Sequence, residues 1–181
     1  MPQMKQLSVH NLPQQVDRQQ LAGATVVVID LLRASTTICT ALANGAPEVV
    51  PFLEVEETRK AACGRTNVIL GGERGGKIIE GFNLGNSPAE YSQDRIEGKQ
   101  VFFTTTNGTR ALDHARLANR IVVGAFVNLS AAVESIRNDA SVHILCAGTE
   151  GQETREDILT AGAFVARLAA ESESWQMSEG A

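Results

Sequence analysis

The chain has 181 residues, 43 % of them hydrophobic and only 4 % aromatic, with a formal net charge of −5. That length suits one domain with an aliphatic core, and the negative balance argues against a general nucleic-acid binder, which carries a basic patch or stripe. The longest apolar run, Val26-Val27-Val28-Ile29, is far shorter than the roughly 20 residues of a membrane helix, so no membrane partner is expected.

Residues 1–24 read as an N-terminal segment ahead of the domain, with neither a secretory leader nor a transit peptide. Cys39, Cys63 and Cys146 are odd in number and widely spaced, which suits reduced thiols, so a cytoplasmic protein is expected. Val26 to Asp30 reads as a buried strand. Ser35-Thr36-Thr37 offers N-cap residues for a helix over Ile38 to Ala43, and Asn44-Gly45-Ala46-Pro47 ends it. Glu48 to Phe52 is a second strand and Glu54 to Cys63 a second helix; Val68-Ile69-Leu70 is a further strand. The alternation then repeats, with a strand at Val101–Thr105, a helix from about Thr109 to Ala118, a strand at Ile121–Ala125 and a helix at Leu129–Ile136. His143–Cys146 is the next strand, followed by an amphipathic helix from near Glu156 through Leu168.

This order predicts an α/β fold, layered α/β/α, with a mostly parallel or mixed sheet. A shift of 75 positions carries Asp30 onto Thr105 and Asn44 onto Asn119, which suggests two similar βαβα halves, 25–98 and 99–168, within a domain spanning 25–168. Helix–strand alternation alone also produces such a match. Residues 169–181, with Glu171, Glu173 and Glu179 and no basic residue, read as an acidic tail or a truncated end.

In open α/β sheets ligands gather outside the carboxyl ends of the strands, so the loops there hold the candidate chemistry. In the first, Asp30 is placed to hold Mg²⁺ or to attack phosphorus, Arg33 to grip an anion with paired donors, and Ser35 and Thr36 to add hydroxyls. The plainer alternative is that Asp30 caps the turn and Arg33 sits on the surface. Gly71-Gly72-Glu73-Arg74-Gly75-Gly76-Lys77 nearly matches a Walker phosphate loop, but Ile78 stands where the hydroxyl should be, and Gly81, Gly85 and Pro88 forbid the helix. Four glycines around Glu73 and Arg74 still suit close approach to a ligand.

Asn86 and Ser87 lie in a loop dense in turn formers. Thr104 to Thr109, with Thr105, Thr106, Asn107, Gly108 and Thr109, reads as an anion cradle between strand and helix. Gly148 opens the last loop, with Glu156 and Asp157 behind it, either completing a Mg²⁺ site or favouring the helix dipole. No cysteine-phosphatase loop, zinc spacing or dinucleotide fingerprint is present. A small, multiply anionic phosphoester is the expected substrate.

The ordered set of these loops resembles the 2-phosphosulfolactate phosphatase family. The likeness is carried by Asp30 to Thr37, Asn44-Gly45-Ala46, Gly71 to Gly76, Gly81 to Pro88, Thr104 to Thr109, Cys146-Ala147-Gly148 and Glu156-Asp157, and covers about Thr25 to Leu168. The resemblance implies a Mg²⁺-dependent hydrolase that removes phosphate from 2-phospho-3-sulfolactate, a step toward coenzyme M, and a fold of related halves. On that reading Asp30 is metal ligand or nucleophile, with Glu73 or Asp157 sharing the metal. Arg33 and the Thr104–Thr109 loop hold the phosphate, while Arg74 and Asn86 grip the carboxylate or sulfonate. The rivals are a phosphatase for another 2-hydroxyacid phosphate and a non-catalytic anion-binding protein. A homodimer is compatible with either.

Overall fold

The computed structural model describes residues 4–171 and 175–178. In chain order its elements are β1 (Lys5–His10), β2 (Thr25–Ile29), α1 (Thr36–Ala43), β3 (Val49–Pro51), α2 (Val55–Ala62), β4 (Val68–Arg74), β5 (Lys77–Ile78), α3 (Gln93–Ile96), β6 (Gln100–Thr104), α4 (Gly108–His114), β7 (Arg120–Gly124), α5 (Leu129–Ile136), β8 (Ser141–Cys146), α6 (Arg155–Glu171) and β9 (Trp175–Met177). They build a five-stranded sheet ordered β7-β2-β8-β1-β9 and a four-stranded sheet ordered β3-β6-β4-β5. The first is parallel throughout; in the second only the β4–β5 pair is antiparallel. The layered α/β class predicted from the sequence is the one observed.

Burial explains which strands are central. Every residue of β2 is buried, as an unbroken apolar run requires when helices cover both faces. On one face Val27, Ile29 and Ile144 pack against Val133 of α5 and Phe164 and Leu168 of α6. On the other, Val26, Val28 and Leu145 meet Leu21, Ala111 and Ala115. A third cluster joins Ala34, Ile38 and Ala41 to Val101 and Phe103 of the second sheet. The buried Asp157, Thr160, Ala161, Phe164 and Leu168 of α6 recur at helical spacing, so this helix presents one stripe to the core.

The sheet order places three of the segments drawn from the sequence. Of residues 4–24, β1 lies inside the first sheet, hydrogen-bonded to both β8 and β9. Its apolar content is modest because its other face carries Gln6, Ser8 and His10, which hides it from a search for apolar runs. Residues 25–98 and 99–168 interleave, since β2 sits between β7 and β8 while β6 sits between β3 and β4. The chain crosses from one sheet to the other through α1 and back through α4. Finally, the stretch read as an acidic tail begins inside α6 and includes β9, while 172–174 and 179–181 lie outside the described residues.

Candidate active site

Four loops converge where the two sheets meet. They follow β2, β6 and β8, with the β4–β5 turn as the fourth. After β2 the backbone makes one wide π-type turn, Leu31–Ser35, closed by the Ser35 amide donating to the Asp30 carbonyl at 2.8 Å. Such turns are frequent at functional sites. The Asp30 side chain accepts from the Ala34 amide at 3.3 Å, and a second main-chain hydrogen bond comes from Gly108 across the gap. Only glycine fits there: an added Cβ at 108 would lie 2.6 Å from the Ala34 methyl and 2.8 Å from Asp30 Oδ2.

Burial raises the Asp30 carboxyl most, and the neighbouring charges of Asp157 and Glu73 push it further, against the opposing pull of the Ala34 and Gly108 amides; the outcome is about 6. Three acids therefore share this corner without a compensating cation in the ion pairs among the described residues. Asp157 is also raised, mainly by burial, against the amides of Leu31 and Gly148.

The remaining predicted residues are reached by following their hydrogen bonds. Arg33 lies in the turn that follows Asp30 and is exposed. The hydroxyls of Ser35 and Thr36 both have protein partners. Ser35 Oγ accepts from the Asp30 amide at 2.9 Å and donates to the Val28 carbonyl, and Thr36 Oγ1 donates to the Leu31 carbonyl at 2.8 Å. Both stiffen the turn. Arg74 is likewise committed, donating to the carbonyls of Leu53 and Glu73 and to Thr104 Oγ1 at 2.7, 2.9 and 2.8 Å. Asn86 is buried with an unpartnered Oδ1, and half-buried Ser87 precedes a short turn at Pro88–Glu90 without capping it.

The hydroxyl-rich cradle after β6 is largely filled by the protein itself. Thr105 and Thr109 are buried and bracket each other: the Thr109 amide donates to Thr105 Oγ1, and Thr109 Oγ1 donates to the Thr105 carbonyl at 2.8 Å. The Thr106 amide donates to Glu73 at 2.7 Å, and the Gly108 amide serves Asp30. The anions in this cradle are the side chains of Glu73 and Asp30. The Gly148 amide is similarly taken by Asp157.

Among the described residues no three His, Cys, Asp or Glu side chains come together as a ready-made metal cluster. Mg²⁺ keeps several waters and uses one or two protein carboxylates plus substrate oxygens. Asp30, half-buried and next to two uncompensated acids, fits that smaller demand.

Sequence reading passes over Arg18 and Arg110. Both line a cleft of ≈ 410 Å³ with Gln14, Asn107, His114 and Glu150, beside the loops after β6 and β8. Arg110 ends the threonine-rich loop and so had a local signal. Arg18, paired to Asp113 at 2.8 Å, comes from the segment read as lying outside the domain and had none.

A family model for 2-phosphosulpholactate phosphatase matches residues 10–181. The chain belongs to that family. Proteins named probable 2-phosphosulfolactate phosphatase from Caldanaerobacter subterraneus subsp. tengcongensis and Symbiobacterium thermophilum are each 46 % identical to it, over 84 % and 83 % of this chain. One from Thermotoga maritima is 46 % identical over 80 % of the chain. The matches span 65 %, 66 % and 62 % of those relatives' own lengths. The family match begins at His10, the last residue of β1, so it takes in most of the segment that sequence reading set apart.

Proposed function

We infer that this chain carries phosphatase chemistry: Mg²⁺-dependent hydrolysis of 2-phospho-3-sulfolactate to 3-sulfolactate and phosphate. The supporting observation is Asp30, a carboxylate at the carboxyl end of the fully buried strand β2, aimed by amides of two loops from different sheets. In the reaction water adds to phosphorus, the bond from phosphorus to the ester oxygen breaks, and the leaving alkoxide takes a proton. Phosphoryl transfer needs positioning and charge neutralisation more than covalent help. Asp30 would hold the cation, which when bound supplies positive charge against the phosphoryl oxygens. Arg33, exposed one turn away, would contribute paired donors to the same group. The described cysteines are all free, which supports a cytoplasmic setting for the reading, and among the described residues no helix is long and apolar enough to cross a membrane.

The test is phosphate release from a panel of phosphorylated 2-hydroxyacids and unrelated phosphomonoesters, with Mg²⁺ and with EDTA. Turnover of phosphosulfolactate that needs the metal is expected. Tight binding without turnover in Mg²⁺ would leave an anion-binding protein instead.

A further inference from the structure

The geometry points to Glu73 and Asp157 as positioning residues that tie the four site loops together, leaving Asp30 as the carboxylate that meets the cation; its second half rests on the phosphatase reading above. Both acids are buried, at 8 % and 3 % exposure. Each spends both oxygens on main-chain amides. Glu73 accepts from Thr106 through Oε1 and from Gly76 through Oε2, each at 2.7 Å. Asp157 accepts from Leu31 through Oδ1 at 2.8 Å and from Gly148 through Oδ2 at 3.0 Å. A carboxylate that ligates Mg²⁺ aims at least one oxygen at the ion within about 2.1 Å, whereas here each oxygen is aimed at an amide.

The four amides belong to four different loops, and the order of the ties matters. Asp157 joins the loop after β8 to the loop after β2. Asp30 joins the loop after β2 to the loop after β6, through Ala34 and Gly108. Glu73 joins the loop after β6 to the β4–β5 turn. Since β2 and β8 lie in one sheet and β4 and β6 in the other, the three carboxylates form one line of ties running across both sheets. Only the middle one ties a loop of one sheet to a loop of the other, and its bond from the Ala34 amide, at 3.3 Å, is longer than any of the four that hold the outer two. Main-chain amides hold a carboxylate without a counter-charge, so the outer two are stable with no cation bound.

The experiment compares Asp30→Asn, Glu73→Gln and Asp157→Asn with the unchanged chain. Mn²⁺ binding is followed by electron paramagnetic resonance and amide exchange by NMR. Asp30→Asn should weaken Mn²⁺ binding at least tenfold, with the other two within threefold of the parent. In Asp157→Asn the Leu31 and Gly148 amides should exchange at least tenfold faster while Thr106 and Gly76 stay protected; Glu73→Gln should show the converse. In both, kcat should fall at saturating Mg²⁺ with the Mn²⁺ affinity unmoved, a split that simple loss of stability does not produce. Loss of Mn²⁺ affinity in either variant to the level of Asp30→Asn would overturn the assignment. So would intact protection of a variant's own two amides.

Should a variant not fold, hydrogen-bond scalar couplings in the unchanged chain give the answer. Coupling from the Asp157 and Glu73 carboxylate carbons to their paired amide nitrogens should persist when Mg²⁺ is added, and its disappearance would identify them as ligands. A chain that binds no Mn²⁺ and hydrolyses no phosphoester would sink the phosphatase reading, while the amide measurements still judge the two ties.

Discussion

The Leu31 amide, first in the turn after β2, donates to Asp157 Oδ1 on α6 at 2.8 Å, across 126 positions of sequence. With the Gly148 amide on Oδ2, this carboxylate sets the path of the loop that presents Asp30. The loop that carries Asp30 is thus held by a helix more than a hundred residues away.

Asp30→Asn removes the charge but keeps the shape. Turnover should fall by on the order of a hundredfold or more, as expected when a metal-holding carboxylate is lost. The stability change has a definite sign. The folded carboxyl stands at about 6 against an ordinary 3.8, so the native state holds a proton more tightly than the unfolded chain between those values. Stability contributed by this group is full below 3.8 and is lost as pH rises through 6. At pH 7.5 without metal, Asn should therefore stabilise by up to about 3 kcal/mol, less what its amide loses at Ala34 and Gly108. Thermal midpoints in EDTA should rise by several degrees at pH 7.5 and converge with the parent near pH 4. A fully active variant would remove Asp30 from the mechanism.

Gly108→Ala tests whether the aim of that carboxylate matters. The new methyl meets the Ala34 methyl and Asp30 Oδ2 inside ordinary contact distance, so one of them must shift. A stability loss of about 1–3 kcal/mol is typical of such crowding, and kcat should drop at least tenfold. Gly98→Ala is the control for stability alone, because its backbone is strained for alanine (φ 70) but nothing lies within 4 Å. If Gly98→Ala lowers kcat as much, the effect at Gly108 is not local.

Cys39, Cys63 and Cys146 are expected to be dispensable for turnover. Burial pushes the Cys39 thiol up to about 11 and the Cys146 thiol up to about 12, leaving almost no thiolate at neutral pH. Serine at each position should retain most of kcat, with some stability lost at the buried Cys146. A thousandfold loss in kcat for any one, with circular dichroism unchanged, would point to a cysteine nucleophile.

His10 and His143 give acid sensitivity to β1. Their ring nitrogens lie 3.0 Å apart and the rings stack at 13°. Burial chiefly, with His143 and then His114 nearby, lowers His10 to about 4 from 6.5, and burial lowers His143 as well. A depressed histidine supports folding fully above 6.5 and loses that support as pH falls toward 4. The urea midpoint should decline across that window, and His10→Gln should flatten the decline. An unchanged slope in the variant would place the acid-sensitive group elsewhere.

The sequence by itself determined the central strands and helices and the loops at their carboxyl ends, because apolar periodicity and turn residues are local signals. The helix at Leu129–Ile136, the strand around Val26–Ile29 and Asp30 at its end all stand where local pattern puts them. Tertiary structure alone decided what the polar side chains in those loops do. Thr105, Thr109, Ser35 and Arg74 have ligand-binding chemistry by type, yet each finds a protein partner once the loops converge. Glu73 and Asp157 have metal-binding chemistry by type, yet four amide donors, most of them distant in sequence, lie within 3.0 Å of their oxygens. A carboxylate's role depends on which partner reaches it first. In a parallel sheet that partner comes from a strand order that no local pattern encodes.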